Sequence, residues 1–225
     1  MLLTQLQRLI GDIYDVRVAH DVCDFLVTDR RQLPPAARTG TAEEELLVAE
    51  DAPGGDGVAL SLYLDAALLE RLARANPLER LHAGNVGDYC TALEGVSHFL
   101  YLAWNAGHDR PVSVPELEMQ AEVDKYVTSY WLLSEQWPGH FPAELRRLLF
   151  ERTRIDPRVG AARAAMYREA SRYAERYCAR LERRLARARC AGETARRADG
   201  TVLAQLRRFY RLTHARKRAL IESLE

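Results

Sequence analysis

The sequence predicts an α-dominated α+β fold: a small N-terminal antiparallel sheet followed by a helical bundle containing one long helix. Three observations predict it. Two β-prone runs, Glu45 to Glu50 and Gly57 to Leu64, flank the Gly-rich loop DAPGGDG. From residue 81 onward apolar residues recur almost throughout at spacings of three and four. The stretch from Arg158 to Arg189 has no Pro and a single Gly near its start, and reads as one helix of about 45 Å at the helical rise. We therefore divide the chain into residues 1–80, a small α/β region with a hairpin, and residues 81–225, a helical bundle, expected to form one continuous domain.

The elements follow in order. Leu2 to Ile13 carries apolar residues at 2, 3, 6, 9, 10 and 13, a helical stripe. Val22, Cys23, Phe25, Leu26 and Val27 form a β-prone run, so a strand is expected over 22–28. QLPPAARTGTA, residues 32–42, reads as a linker. Leu60, Leu62 and Leu64 alternate with Ser61 and Tyr63, which predicts a strand with one buried face. Asp65 is placed to cap a helix over 66–75 that stops at Asn76-Pro77. Loop 51–57 resembles a phosphate loop only in its glycines. It leads into a strand and has no lysine, so an anion cradle is not expected there.

Two strongly patterned helices follow, over 87–105 and from Ser113 to Trp137. Ser113 and Glu116 have capping-box spacing. Further helices are expected over 141–155, 158–189 and from Thr201 to about Leu224, with Cys190 to Gly200 as a polar loop.

Composition narrows the function classes. No run of 18 apolar residues occurs and mean hydropathy is -0.30, so no membrane span is expected. The N-terminal segment lacks a signal-peptide pattern, and a cytoplasmic location is expected. The cysteines Cys23, Cys90, Cys178 and Cys190 are scattered and read as free, buried thiols. Net charge is zero, but residues 1–140 hold 10 Lys+Arg against 22 Asp+Glu, and residues 141–225 hold 22 against 10. An acidic half thus precedes a basic half. Only two of the 32 cations are lysines, Lys125 and Lys217.

One polar site is expected where the two patterned helices pair. Glu94 and His98 share a helix face with Tyr101 and Asn105; Glu118, Glu122 and Lys125 share a face of the next helix. A short turn makes such helices antiparallel neighbours, which would bring these groups together. The leading expectation is a charge-balanced structural network around Lys125. A carboxylate–histidine metal site is the alternative, taking Fe, Mn or Zn. Di-iron bundles use Glu-x-x-His twice, whereas Glu94 and His98 are four apart with no second copy. No cofactor and no metal is therefore favoured. Asp124 falls on a neighbouring face and is set aside. A histidine beside a carboxylate also suits acid/base work, but no activated nucleophile accompanies it, and an enzyme is not favoured.

In the basic half, Arg168, Arg172, Arg176 and Arg180 form an i, i+4 ridge interleaved with Tyr167, Tyr173 and Tyr177. Arg207, Arg211, His214 and Arg218 form another, with Arg208, Arg216 and Lys217 beside it. Such ridges suit an acidic partner or nucleic-acid phosphates, with the tyrosines available to stack on bases. The expected function is a protein–protein interaction or regulatory module, homo-oligomeric, with a nucleic-acid-associated protein as the alternative.

Overall fold

The computed structural model describes residues 1–50, 58–151, 160–190 and 195–223, without the side chains of 50, 58, 188–190 and 195–199. The fold is α-dominated α+β, with eight α-helices and a three-stranded sheet among the described residues. The chain divides into two compact units. The first comprises residues 1–9 and 17–109, the second residues 10–16 and 110–225. Helix α1 (Leu2–Tyr14) starts in the first unit and ends in the second.

In the first unit the strands are β1 (Leu26–Val27), β2 (Glu44–Glu50) and β3 (Val58–Leu64), in the order β1-β3-β2. β2 and β3 pair antiparallel as expected, with Leu46 opposite Leu62. β1 joins parallel to β3, so the sheet is mixed rather than purely antiparallel. The expected strand over 22–28 shrinks to two residues. The Asp21 carboxylate accepts from the Cys23 amide and starts a single 3-10 turn at Val22–Phe25. Short aspartates offer the backbone this local alternative to a strand ladder.

Helix α2 (Ala66–Arg74) begins under the predicted Asp65 cap, whose carboxylate accepts from the Ala67 amide. Helix α3 (Val86–Ala106) then packs on the sheet. Gly95 permits the close approach: a Cβ there would sit 2.7 Å from Leu62 Cδ1 and 3.0 Å from Glu44 Cγ. The opposite face is covered too. Tyr63 is buried with Leu33 and Ala37, and the Arg30 guanidinium lies 4.2 Å from its ring centroid. The C-terminal end of β3, Leu62 to Leu64, is therefore buried on both faces, which alternation alone underestimated. The segment read as a linker supplies the second cover. Arg71 ties α2 to Asp88 at 2.8 Å and to Glu43 at 2.9 Å.

The second unit consists of the end of α1 with helices α4 (Val114–Gln136), α5 (Leu145–Phe150), α6 (Ala161–Cys190), α7 (Ala195–Tyr210) and α8 (His214–Glu222). Three boundaries differ from expectation. α5 starts at Leu145, past Pro142, because a residue preceding proline is pushed out of the helical region. The predicted end of that helix at 155–157 lies outside the described residues, as does loop 51–57. α7 starts at Ala195 and absorbs Gly200, although Gly costs a helix about 1 kcal/mol against Ala. The last helix is not continuous. Thr213 is extended (φ -70°, ψ 160°) and begins α8 as its N-cap residue.

The core of this unit is aromatic. Tyr177 stacks on Phe209 at 3.9 Å and Tyr14 on Tyr210 at 4.3 Å. Asp15 adopts φ 54° just past the end of α1. The last carbonyls of α1 would otherwise lack donors. Arg207 donates to Ile13 O and Asp12 O, and Arg211 to Tyr14 O and Asp15 O. Cations at a helix C-terminus also complement its dipole.

Candidate functional site

The residues proposed from the sequence divide between the units. Glu94 and His98 lie in the first, and Glu118, Glu122 and Lys125 in the second. His98 is buried on α3, its Nδ1 3.6 Å from Glu44 Oε1 on β2. Asn105, from the same stripe, donates to Tyr101 O of its own helix at 2.8 Å. On α4, Lys125 and Glu122 form the expected ion pair at 2.6 Å, with Lys125 only 7% exposed.

A second polar cluster, not anticipated from the sequence, lies wholly within the second unit. Lys217, on α8, has 0% of its surface exposed. Its Nζ donates to Gln120 Oε1 at 2.6 Å and lies 3.9 Å from Glu116 Oε1. The Gln120 amide donates to Asp124 Oδ1 at 2.7 Å, and the Tyr14 hydroxyl donates to the same oxygen at 2.5 Å. The Thr128 hydroxyl closes the chain on Asp124 O at 2.6 Å. The Phe209 and Tyr210 ring centroids lie 5.1 and 6.0 Å from the ammonium nitrogen. Glu116, Gln120 and Asp124 recur every four residues on one face of α4, and the break at Thr213 turns Lys217 toward that face.

Burial sets the electrostatics. Removing the ammonium from water pushes the Lys217 pKa from 10.5 to about 7, against the opposing pull of Glu116 and Asp124. Burial, then the Asp124 charge and hydrogen bond, raises the Tyr14 phenol well above 10. The site holds an amine able to exchange a proton near neutral pH, wired through an amide to a carboxylate and a phenol.

Two sequence readings are corrected here. Glu116 does not close a capping box: the Ser113 side chain makes no cap hydrogen bond and its Oγ instead lies 3.3 Å from His214 Nδ1. Glu116 points inward, 4% exposed, toward Lys217. Lys217 does not belong to a surface ridge, because that reading assumed an unbroken helix through 213. The signal available in the sequence was lysine usage. A chain with 30 arginines (32 cations less two lysines) places both lysines, Lys125 and Lys217, in buried positions. A guanidinium stays charged at any accessible pH, whereas an amine can be neutral.

The basic ridges also separate. Arg207 and Arg211 hold the end of α1, while Arg218 meets Tyr173 Oη at 3.0 Å and Glu169 at 3.4 Å. His214 is half-buried, and burial holds its imidazole below the usual value. On α6, Arg168, Arg172 and Arg176 are exposed and Arg180 is half-buried. Tyr173 and Tyr177 face the core and offer no surface for stacking. An open cleft of about 350 Å³ lies beside the C-terminal half of the ridge, lined by Arg180, Arg184, Ala204, Gln205, Arg208 and Leu220.

Cys23 and Cys90 are half-buried free thiols and Cys178 is a fully buried one, its pKa pushed well up by burial. Among the described residues no helix is long and apolar enough to cross a membrane. No protein-family model, curated protein or solved structure matches the chain.

Proposed function

We propose that the protein is a non-catalytic docking module that binds an acidic protein surface along α6. One observation carries this reading. The helix splits cleanly into a buried face of Tyr173, Tyr177, Cys178 and Leu181 and an exposed face bearing Arg168, Arg172 and Arg176. With Arg180 and Arg184 the ridge extends about 24 Å along the helix. Such a row of guanidiniums matches carboxylates bidentately and steers an oppositely charged partner into place.

A protein surface suits this face better than a polynucleotide. Two of the three tyrosines that would stack on bases, Tyr173 and Tyr177, are in the core, and the half-buried Tyr167 has the Arg163 guanidinium 5.5 Å from its ring centroid. Glu169 and Glu175 stand on the same helix, and carboxylates next to the ridge repel a continuous row of phosphates. The acidic residues of a second copy of the chain are one surface of the right sign, since residues 1–140 carry 22 Asp+Glu against 10 Lys+Arg.

The test is affinity capture after nuclease treatment, comparing the wild type with R168E/R172E/R176E. A protein retained by the wild type and lost with the triple variant is expected. Light scattering reports whether that protein is a second copy, by a shift toward the 25.5 kDa monomer in the variant. Nuclease-sensitive capture, or capture indifferent to the three reversals, would sink the reading. Unchanged circular dichroism shows that the variant is folded.

A further inference from the structure

The cleft beside the ridge has a charge problem. Arg180, Arg184 and Arg208 converge on it from α6 and α7, and among the described residues no carboxylate is ion-paired with any of them. Other arginines of the unit are compensated: Arg146 pairs with Glu175 at 2.5 Å and Glu182 at 2.9 Å, Arg147 with Glu144 at 3.0 Å and Arg218 with Glu169 at 3.4 Å. Arg184 is also held in place, since it donates to Gln205 Oε1 across the cleft. An anchored guanidinium loses less freedom when a ligand arrives.

We propose that this cleft seats a phosphoryl group on the acidic partner, carried by a phosphothreonine or phosphoserine side chain. This rests on the docking reading above and adds what that partner presents. A single carboxylate would leave two of the three cations uncompensated. A phosphomonoester carries nearly two negative charges at neutral pH and three acceptor oxygens, enough for one fork from each arginine. Ala204 and Leu220 give the floor an apolar component, suited to the methyl or methylene that links the phosphate to its chain. The volume, about 350 Å³, is at the low end for ligand pockets and fits one side chain rather than a dinucleotide.

The experiment uses the full chain and a fluorescein-labelled acidic peptide of alternating glutamate and alanine, with and without one central phosphothreonine. Anisotropy should give binding roughly tenfold to a hundredfold tighter for the phosphorylated form, the range expected for charge-assisted hydrogen bonds. R180Q, R184Q and R208Q should each erase most of that preference; R208Q, outside the α6 ridge, should leave the unphosphorylated peptide unchanged, whereas R180Q and R184Q should weaken it only modestly. R168E/R172E/R176E should weaken both peptides alike. Equal affinity for the two peptides overturns the cleft assignment and leaves the docking ridge standing. Tight phosphopeptide binding that survives the ridge reversal but not R184Q keeps the cleft and overturns the ridge. Inorganic phosphate that displaces the peptide with equal affinity assigns the cleft to a free anion and overturns a partner-borne phosphate.

Discussion

Lys217 couples the stability of the second unit to pH in a direction unusual for a lysine. Its folded pKa, about 7, lies below its ordinary value of 10.5. Between those values the unfolded chain binds a proton that the folded chain releases. Stability rises with pH wherever the unfolded state holds more protons, so it climbs from pH 7 upward and the gain is complete only near 10.5. Each unit of displacement corresponds to somewhat more than 1 kcal/mol. Integrated from pH 7 to pH 8.5, with half the lysines already neutral at the start, the gain is roughly 1–2 kcal/mol. Above pH 9 the buried Cys178 thiol and the Tyr14, Tyr126 and Tyr177 phenols, all with raised pKa values, reverse the slope. Urea unfolding followed by circular dichroism at constant ionic strength measures the effect in wild type and K217M. Wild type should gain the stated increment and K217M, which has nothing to titrate, should stay flat. K217R should be destabilised by several kcal/mol at every pH in the window, because a guanidinium in this site cannot shed its charge. Parallel slopes for wild type and K217M, or a wild type that weakens from pH 7 to 8.5, would refute the assignment.

Two further predictions concern the fold. G95A should destabilise by about 1 kcal/mol, because overpacking against Leu62 outweighs the gain in helix propensity, whereas G87A, with nothing within 4 Å, should stabilise by roughly 0.5–1 kcal/mol; urea midpoints of the two variants check the opposed signs. R211A should cost about 1 kcal/mol by freeing the carbonyls of Tyr14 and Asp15, while R168A, on the exposed face of α6, should stay within about 0.5 kcal/mol; thermal melts distinguish them.

Much of the fold was legible because its determinants are local. The Asp65 cap, the β2–β3 hairpin and the uninterrupted course of α6 each rest on residues a few positions apart. The losses have a common physical cause, which is competition at single residues. The Asp21 side chain captured an amide and converted most of a strand into a turn. Residues 211–213 left the helical region, ending in the extended Thr213, and that short break changed which face of the following nine presents Lys217. Periodicity carried across 213 put Lys217 beside Arg211 and Arg218 on the surface. The buried cluster could not be read from spacing because Tyr14 and Asp124 lie 110 residues apart and meet only through tertiary packing. The ion pair of Lys125 with Glu122 was legible, being three residues apart on one helix.

The division of labour between lysine and arginine narrows where a partner can bind. Counted by sequence, residues 141–225 offer 22 cations against 10 acids. The structure removes several of the cations from consideration. Arg146 is held by Glu175 and Glu182, Arg207 and Arg211 by the end of α1, Arg218 by Tyr173 and Glu169, and Lys217 is in the core. A cation already serving a helix end or a buried carboxylate adds little to a partner's affinity, since binding would have to replace what it breaks. Among what is left on α6 and α7 is a contiguous set: the exposed ridge from Arg168 to Arg176 and the three arginines around the adjoining cleft. Charge reversal in that set should abolish docking while leaving stability nearly untouched. Reversal at Arg146 or Arg211 should lower stability first and affect docking only through it. Affinity and stability measured on the same variants separate the two groups, and a surface cation that moved both equally would break the division.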